Sequence, residues 1–529
     1  MTVLPIPALS YPESLNLVDE VHFGTDGWRA ILRKDFNTAT LARVAEAAAQ
    51  VFGEEARAFQ ETQAVKESQT ITKPRIIIGY DCRENAGRYA VLVGTIIAAH
   101  GFEVVISNTY CPTPALCFSV ARDEQALGGI MLTASHNPAE YLGVKLRMAD
   151  GGASPAAFTD RVELALKDAV PSQYEHACAV AQLAINGTPE TPATTLEQAP
   201  ELCFTDLMSA YLDALVAAVD TEVIAAANLR VVVDPLHGAG RRYLKQALEC
   251  VGVTEVIEVN GADDFSFAGL HPEPIPPWIQ QGVDAVAQHK FDACFVTDGD
   301  ADRIGAADSD GIFVNPHRIL ALIIALLAED KGLNGRIVRT LSGSNLVKRQ
   351  CERLGLELTT TPIGFKWIYE EMLKGDVLIG GEESGGIGIP THVRERDGLL
   401  MALLLTELMA QKKQTLKELV NGLLKQLGNF DYARRDLRVS PEQKEAFLNN
   451  HVFCKPSKEL QDYENLFASL DENLLAIDQR DGLHLSFASD AWLLMRPSGT
   501  EPLVRVYAEA TDAARVEELL DIGCALVEG

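Results

Sequence analysis

The chain has 529 residues, which at roughly 150 residues per domain suggests three or four domains. Its 47% hydrophobic and 23% charged content is that of an ordinary globular protein and excludes disordered, collagen-like and disulfide-scaffold classes. The net charge of −28, from 46 Lys+Arg against 74 Asp+Glu, with no basic run, excludes general affinity for nucleic acid or anionic membrane. An anionic substrate would have to be met by positive charge or metal gathered locally.

Ten cysteines without a C-x-x-C pair read as reduced, mostly buried thiols of a cytoplasmic protein. Met1 to Glu20 lacks a basic segment followed by an apolar run, so no signal peptide is expected. The longest apolar stretches, Ile319 to Ala328 and Leu399 to Ala410, fall short of the about 20 residues that span a bilayer.

Short apolar runs alternate with amphipathic segments along most of the chain. Strands are predicted at Arg75–Tyr80, Glu103–Ser107, Gly129–Thr133, Arg230–Asp234, Thr254–Glu258, Asp292–Thr297, Arg336–Leu341 and Val377–Gly380. Helical patterns lie between many of them, as at Thr40–Phe52 and Arg318–Ala328. This is the signature of α/β units with largely parallel sheets. Glu54–Lys73 and Asn186–Pro200 read as polar insertions or linkers. Near Leu427 the pattern changes to a smaller α+β unit, with strands at Ala491–Met495 and Leu503–Ala510 and a closing helix at Ala513–Val527. The expected fold class is therefore α/β: three related αβα domains with mixed sheets, then a smaller C-terminal α+β domain. The divisions fall at 1–200, 201–312, 313–426 and 427–529.

The motifs that carry chemistry come in chain order. Phe23-Gly24-Thr25-Asp26-Gly27-Trp28-Arg29 is a glycine loop able to bring Arg29 to an anion. Thr133-Ala134-Ser135-His136-Asn137-Pro138 follows a strand and offers Ser135 as a nucleophile or phosphate carrier. It lacks the G-x-S-x-G elbow of α/β hydrolases. His136 is its sequence neighbour, a poor geometry for a base acting directly on Ser135. Lys145 stands among apolar residues, where a lysine can have a depressed pKa and move protons; a snorkelling strand lysine is the plainer alternative.

Asp298-Gly299-Asp300-Ala301-Asp302-Arg303 follows an apolar strand, at the end where open α/β sheets bind ligands. Carboxylates at every second position repel one another unless a cation lies between them. An EF-hand is disfavoured, because Arg303 takes the place of the required Gly and Ser309 that of the closing Glu. Three oxygens leave half an octahedral shell open for phosphate and water, which suits Mg²⁺. Gly380-Gly381-Glu382-Glu383-Ser384-Gly385-Gly386 presents carboxylates and a hydroxyl among glycines, a surface suited to sugar hydroxyls. Arg496-Pro497-Ser498-Gly499-Thr500-Glu501-Pro502 is a phosphate cradle, with Arg505 adding charge.

In this order the segments resemble the α-D-phosphohexomutase superfamily, which includes phosphoglucomutase and phosphomannomutase. The resemblance runs from Phe23 to Pro502, and four loops agree in type and sequence. It implies four domains around a central cleft. It implies Ser135 as the phosphoserine, and one Mg²⁺ held by Asp298, Asp300 and Asp302 with the Ser135 phosphate as a further ligand. Arg29, His136 and Arg303 would stand near the transferring phosphate, and Lys145 would be the general acid/base. Glu382 and Ser384 would bind sugar hydroxyls. Arg496, Ser498, Gly499 and Thr500 would grip the phosphate that is not transferred.

The implied reaction moves a phosphoryl group between O1 and O6 of a hexose through a bound bisphosphate, with a hexose 1,6-bisphosphate as activator. Two points favour glucose. The sugar loop ends in Gly386 rather than the His frequent in mannose- and glucosamine-preferring members. Thr361-Pro362-Ile363-Gly364-Phe365-Lys366-Trp367 resembles the phosphoglucomutase pattern, placing Gly364 and Lys366 in the substrate site. Phosphomannomutase or dual activity is the next reading, then glucosamine or pentose phosphates. A Mg²⁺-dependent phosphatase and a non-catalytic sugar-phosphate sensor are the alternatives from other classes. Expected partners are sugar phosphates, with no nucleic acid and no membrane, for a monomer or homodimer.

Overall fold

The computed structural model describes residues 21–24, 26–63, 73–171, 173–183, 201–453, 459–464, 467, 473–498 and 502–529. The Asn186–Pro200 linker, much of the Glu54–Lys73 insertion, Thr25, Gly499 and Thr500 lie outside them. The chain forms two compact units. The first runs to Pro316 and takes in Met372–Gly375 and Ser384–Lys417; the second comprises His317–Glu371, Asp376–Glu383 and Glu418–Gly529.

The first unit opens with β1 (Trp28–Ile31), α1 (Thr38–Gln63), β2 (Arg75–Tyr80), α2 (Ala86–Ala99), β3 (Glu103–Ser107), α3 (Thr113–Arg122), β4 (Ala126–Leu132), β5 (Tyr141–Met148), α4 (Ala156–Leu166), α5 (Tyr174–Leu183) and β6 (Leu202–Thr205). Its sheet has the order β1-β5-β4-β2-β3-β6. β2, β3, β4 and β6 are parallel, whereas β5 and β1 add on antiparallel. The parallel strands are buried on both faces and therefore read as unbroken apolar runs. Ile76, Ile78, Val104 and Ile106 pack in one cluster with Phe36, just ahead of α1, and with Phe52 of α1 and Leu92 of α2. The helix predicted to end at Phe52 continues through Gly53 to Gln63, so the first part of the polar insertion is helical. Glu54 and Glu55 pair there with Arg161 of α4, at 2.5 Å each.

A second sheet of this unit uses α6 (Met208–Ala217), α7 (Thr221–Ala226), β7 (Arg230–Asp234), α8 (Tyr243–Cys250), β8 (Glu255–Glu258), α9 (Gln280–His289), β9 (Ala293–Thr297), β10 (Ile304–Asp308) and β11 (Phe313–Val314). The strand order is β11-β10-β9-β7-β8. β7, β8 and β9 are parallel; β10 and β11 return antiparallel. β9 and β10 flank the acidic loop, so both its ends are held by fully buried strands.

The second unit begins with α10 (Pro316–Ala325), β12 (Arg336–Thr340), α11 (Asn345–Leu354), β13 (Leu358–Thr361), α12 (Phe365–Met372) and β14 (Val377–Gly381). β12 lies parallel to both β13 and β14. β15 (Ile387–Gly388) and α13 (Gly398–Lys412) belong to the first unit. The apolar stretch Leu399–Ala410 is thus a buried helix, N-capped by Asp397, whose Oδ1 accepts from the Leu400 N–H at 2.9 Å. No helix among the described residues is long and apolar enough to cross a membrane.

After α14 (Leu416–Leu427) come β16 (Asp431–Arg438), α15 (Pro441–Phe447), α16 (Leu460–Glu464), β17 (Leu474–Asp478), β18 (Leu483–Phe487), β19 (Trp492–Pro497), β20 (Leu503–Ala510) and α17 (Ala513–Glu528). The five strands form one antiparallel sheet in the order β16-β20-β19-β18-β17. The four-domain α/β architecture expected above is therefore present, with the change of class just after Leu427.

Glu509, on β20, is buried and accepts from the Trp492 Nε1–H at 3.0 Å and the Asn345 N–H at 2.7 Å. Burial pushes its carboxyl from 4.5 up to about 7 despite these donors. The folded state binds this proton more tightly than the unfolded chain, so the group lowers stability as pH rises from 4.5 through about 7. Glu509→Gln is expected to flatten the pH dependence of the urea midpoint across that window. The loss removed amounts to about 3 kcal/mol at 1.4 kcal/mol per pKa unit.

Candidate active site

The nucleophile loop begins where β4 ends. Ser135 is fully buried with φ +51°, a left-handed conformation costing an L-residue roughly 1–2 kcal/mol. A network on Asp81 maintains it. Asp81 accepts from Thr133 Oγ1 at 2.6 Å and pairs with Arg83 Nε at 3.1 Å. Thr133 Oγ1 accepts the Ser135 N–H at 2.8 Å, and Arg83 donates to the carbonyls of Ser135 and Asn137, each at 2.6 Å. The Ser135 hydroxyl donates to Asp298 Oδ2 at 2.8 Å, and His136 Nδ1 stands 3.4 Å from the same Oγ.

The acidic loop meets the nucleophile loop backbone to backbone. A Cβ on Gly299 would lie 2.3 Å from the Ser135 carbonyl oxygen, so only glycine permits this approach. Asp298, Asp300 and Asp302 are all fully buried, and each offers an oxygen within 4.8 Å of the others. Burial, and then the charges of Asp302 and Asp300, push the Asp298 carboxyl well above the usual carboxylate range. Asp300 Oδ1 and Asp302 Oδ1 have no hydrogen-bond partner. Crowded carboxylates with unpartnered buried oxygens fit a hard divalent cation, which takes oxygen ligands.

The opposite oxygens are taken. Lys145, on β5, donates to Asp300 Oδ2 at 2.7 Å and Asp302 Oδ2 at 2.8 Å, and pairs with Asp26 at 2.8 Å. Arg396 reaches Asp302 Oδ2 at 2.7 Å and also pairs with Asp26. Arg147 bridges Asp26 at 3.0 Å and Glu395 at 2.7 Å. The sequence left Lys145 either as a lysine of depressed pKa or as a snorkelling strand lysine; it is buried on β5, and burial does act to lower its pKa. Asp26, Asp300 and Asp302 outweigh it and raise the pKa instead. Arg303 joins the same cluster, its Nε 3.9 Å from Asp302 Oδ1. Arg29 donates to Asn137 Oδ1 at 2.9 Å, and the Arg303 N–H donates to Asp298 Oδ1 at 3.1 Å.

The end of the glycine-rich loop that lies in the first unit, from Ser384 on, meets the acidic loop. Gly385 accepts the Ile304 N–H at 3.0 Å, and Gly386 bridges Arg303. Ser384, whose Oγ has no hydrogen-bond partner, therefore stands next to the acidic loop. Glu382 is buried at the end of β14, in the second unit. That unit also holds Gly364, Lys366 beside the Trp367 ring at 5.1 Å, and the cradle. There Arg496 on β19 and Arg505 on β20 are directly paired positions. Like charges so placed repel unless an anion or carboxylate lies between them. Ser498 is buried, its N–H donating to the Leu503 carbonyl at 2.9 Å.

Four domain profiles match along the chain: phosphoglucomutase/phosphomannomutase α/β/α domain I at 20–171, domain II at 209–311, domain III at 315–427 and the C-terminal domain at 454–522. The chain is 32% identical to a Thermus thermophilus protein assigned as a phosphomannomutase, whose crystal structure it matches with a TM-score of 0.77 over 96% of this chain and 99% of that one. The chain belongs to the phosphoglucomutase/phosphomannomutase family. Family membership makes it an enzyme of the isomerase class, within the α-D-phosphohexomutase superfamily. Among relatives, it is 28% identical to the phosphoglucomutase of Komagataeibacter xylinus, covering 95% of this chain and 90% of that protein. It is 27% identical to the phosphoglucosamine mutase of Corynebacterium aurimucosum, over 94% and 97%.

Sequence reasoning passed over several residues of this mutase that the fold gathers here. Asp26 was legible only as part of a glycine loop. Asp81, Arg83, Thr113, Arg147, Glu395 and Arg396 belong to no motif recognised above. The one available signal was Arg394-Glu395-Arg396-Asp397, a dense charge run just before the most apolar helix of the chain.

Proposed function

We propose that this mutase interconverts α-D-glucose 1-phosphate and glucose 6-phosphate through a phosphoserine at Ser135 and a bound glucose 1,6-bisphosphate. The observation that carries the reading is the Ser135 hydroxyl, 2.8 Å from Asp298 and beside two further buried carboxylates, Asp300 and Asp302, each with an Oδ1 that has no hydrogen-bond partner. Asp298, Asp300 and Asp302 would hold Mg²⁺. Bound there, it supplies positive charge to the equatorial oxygens of the transferring group.

The remaining chemistry is the chain's own. Ser135 Oγ carries the phosphoryl group, and its left-handed backbone presents it at the end of β4. A sugar hydroxyl attacks in line; the P–Oγ bond breaks as the sugar P–O bond forms. The raised pKa of Lys145 makes its protonated form the resting state, so it gives a proton to the departing Ser135 Oγ and is restored by the proton that the attacking sugar hydroxyl loses. Arg29, Arg303 and His136 stand beside the transferring group. Glu382, Ser384, Gly364 and Lys366 orient the sugar. Arg496, Ser498, Gly499, Thr500 and Arg505 grip the other phosphate. One fixed grip lets the bisphosphate return its second phosphoryl group to Ser135 after the sugar reverses. The four parts divide after residues 200, 312 and 426, and the enzyme works in the cytoplasm with glucose 1,6-bisphosphate as activator.

Gly386 and the Thr361–Trp367 segment favour glucose, as does the phosphoglucomutase relative. The runner-up, phosphomannomutase or dual glucose/mannose activity, draws on the Thermus thermophilus protein at 32% identity, and the less favoured glucosamine reading on the Corynebacterium relative at 27%. With Mg²⁺ and catalytic glucose 1,6-bisphosphate, kcat/KM for glucose 1-phosphate should exceed that for mannose 1-phosphate and glucosamine 1-phosphate by at least about tenfold, the scale of a few contacts in a sugar site. A reversed ratio rejects glucose while retaining the mutase.

A further inference from the structure

The turn between β17 and β18 belongs to none of the loops above, yet it joins two of them. Asp481 places both carboxylate oxygens on Arg496 Nε, at 3.0 and 2.9 Å. Its Oδ2 also accepts the Ile363 N–H at 2.8 Å, next to Gly364 in the segment that carries Lys366. Arg480, paired with Asp478, donates to the Thr360 carbonyl at 3.2 Å and docks the same turn on the same segment. Gly482 has φ +105°, and a Cβ there would lie 2.4 Å from the Met495 carbonyl oxygen. The turn is therefore pressed against the strand that ends in Arg496. All these residues lie within the second unit.

We propose that Asp481 is a positioning residue that couples the phosphate cradle to the substrate segment. Gripping Arg496 by its Nε edge fixes the plane of the guanidinium, and its other donors serve the substrate phosphate. Holding Ile363 at the same time sets the distance from that phosphate to the sugar contacts at Gly364 and Lys366. The role rests on the reading of Arg496 as the grip on the non-transferred phosphate. Such a grip acts alike in ground and transition states, so its loss raises KM and leaves kcat nearly unchanged. If Asp481 instead competed with the phosphate for Arg496, its removal would tighten binding.

The test uses the full chain and glucose 6-phosphate as probe. Calorimetric titration in a Ser135→Ala background removes turnover, and Asp481→Ala and the isosteric Asp481→Asn are compared within it. Kd is expected to rise at least roughly tenfold, the scale of a displaced positioning contact. In the chain with Ser135 intact, KM should rise similarly with kcat within about twofold. An unchanged or tighter Kd in a folded variant overturns the proposal; should Asp481→Ala fail to fold, Asp481→Asn decides. Binding without turnover in the unsubstituted chain rejects the mutase reading alone and leaves the Kd comparison standing. No binding at all rejects both.

Discussion

Ser135→Ala is expected to lower kcat by at least roughly 10⁴, the scale of losing a nucleophile from a group acting as a unit. Incubated with glucose 1,6-bisphosphate, the unsubstituted enzyme should carry one phosphoryl group on the peptide containing Ser135, and the variant none. The fold should survive. The hydroxyl makes a hydrogen bond to Asp298 and a longer one with His136 Nδ1, each worth about 1 kcal/mol or less. The left-handed backbone is held by Thr133 and Arg83 rather than by the side chain. The melting temperature should therefore move by no more than about 4 °C. Turnover retained in the variant would exclude a phosphoserine mechanism. Continuous release of inorganic phosphate from the unsubstituted enzyme would point instead to a phosphatase.

Asp300→Asn is expected to weaken divalent cation binding by at least about 10², more than the 10–100-fold typical of outer residues, because it alters a ligand. Mn²⁺ binding followed by electron paramagnetic resonance reads this without turnover. Chelation should stop the reaction of the unsubstituted enzyme, and Mg²⁺ should restore it. Asp300 combines an unpartnered Oδ1 with an Oδ2 held by Lys145 and Thr113. The ion would thus meet an oxygen already aimed by its neighbour. Equal Mn²⁺ affinity in the variant would show that the three carboxylates are not the metal site.

Much of this enzyme was legible in one dimension. β2, β3, β7 and β20 fall at their predicted bounds, because strands buried on both faces of a sheet or along a core read as compact apolar runs. Ser135 and the acidic loop were legible because each chemistry is packed into consecutive residues at a strand end. Helix α1 was cut short in the reading, since Gly53 and the charges after it interrupt the apolar period without breaking the helix. β5 and β10 escaped prediction. Their polar and small residues, Lys145 and Gly305 among them, are placed in strands by antiparallel pairing with β4 and β9.

The amino-acid order by itself determined the fold class and pointed to Ser135 and to Asp298, Asp300 and Asp302 as the candidate nucleophile and metal ligands, since each is a local pattern of periodicity or spacing. Only the tertiary structure decided what surrounds them. Asp26, Lys145, Arg147, Asp302 and Arg396 come from distant stretches of chain, and their pairing is set by sheet order. The sign of the Lys145 shift followed from that pairing. Burial alone would have lowered its pKa, but three carboxylates within 2.8 Å outweigh the cost of desolvation.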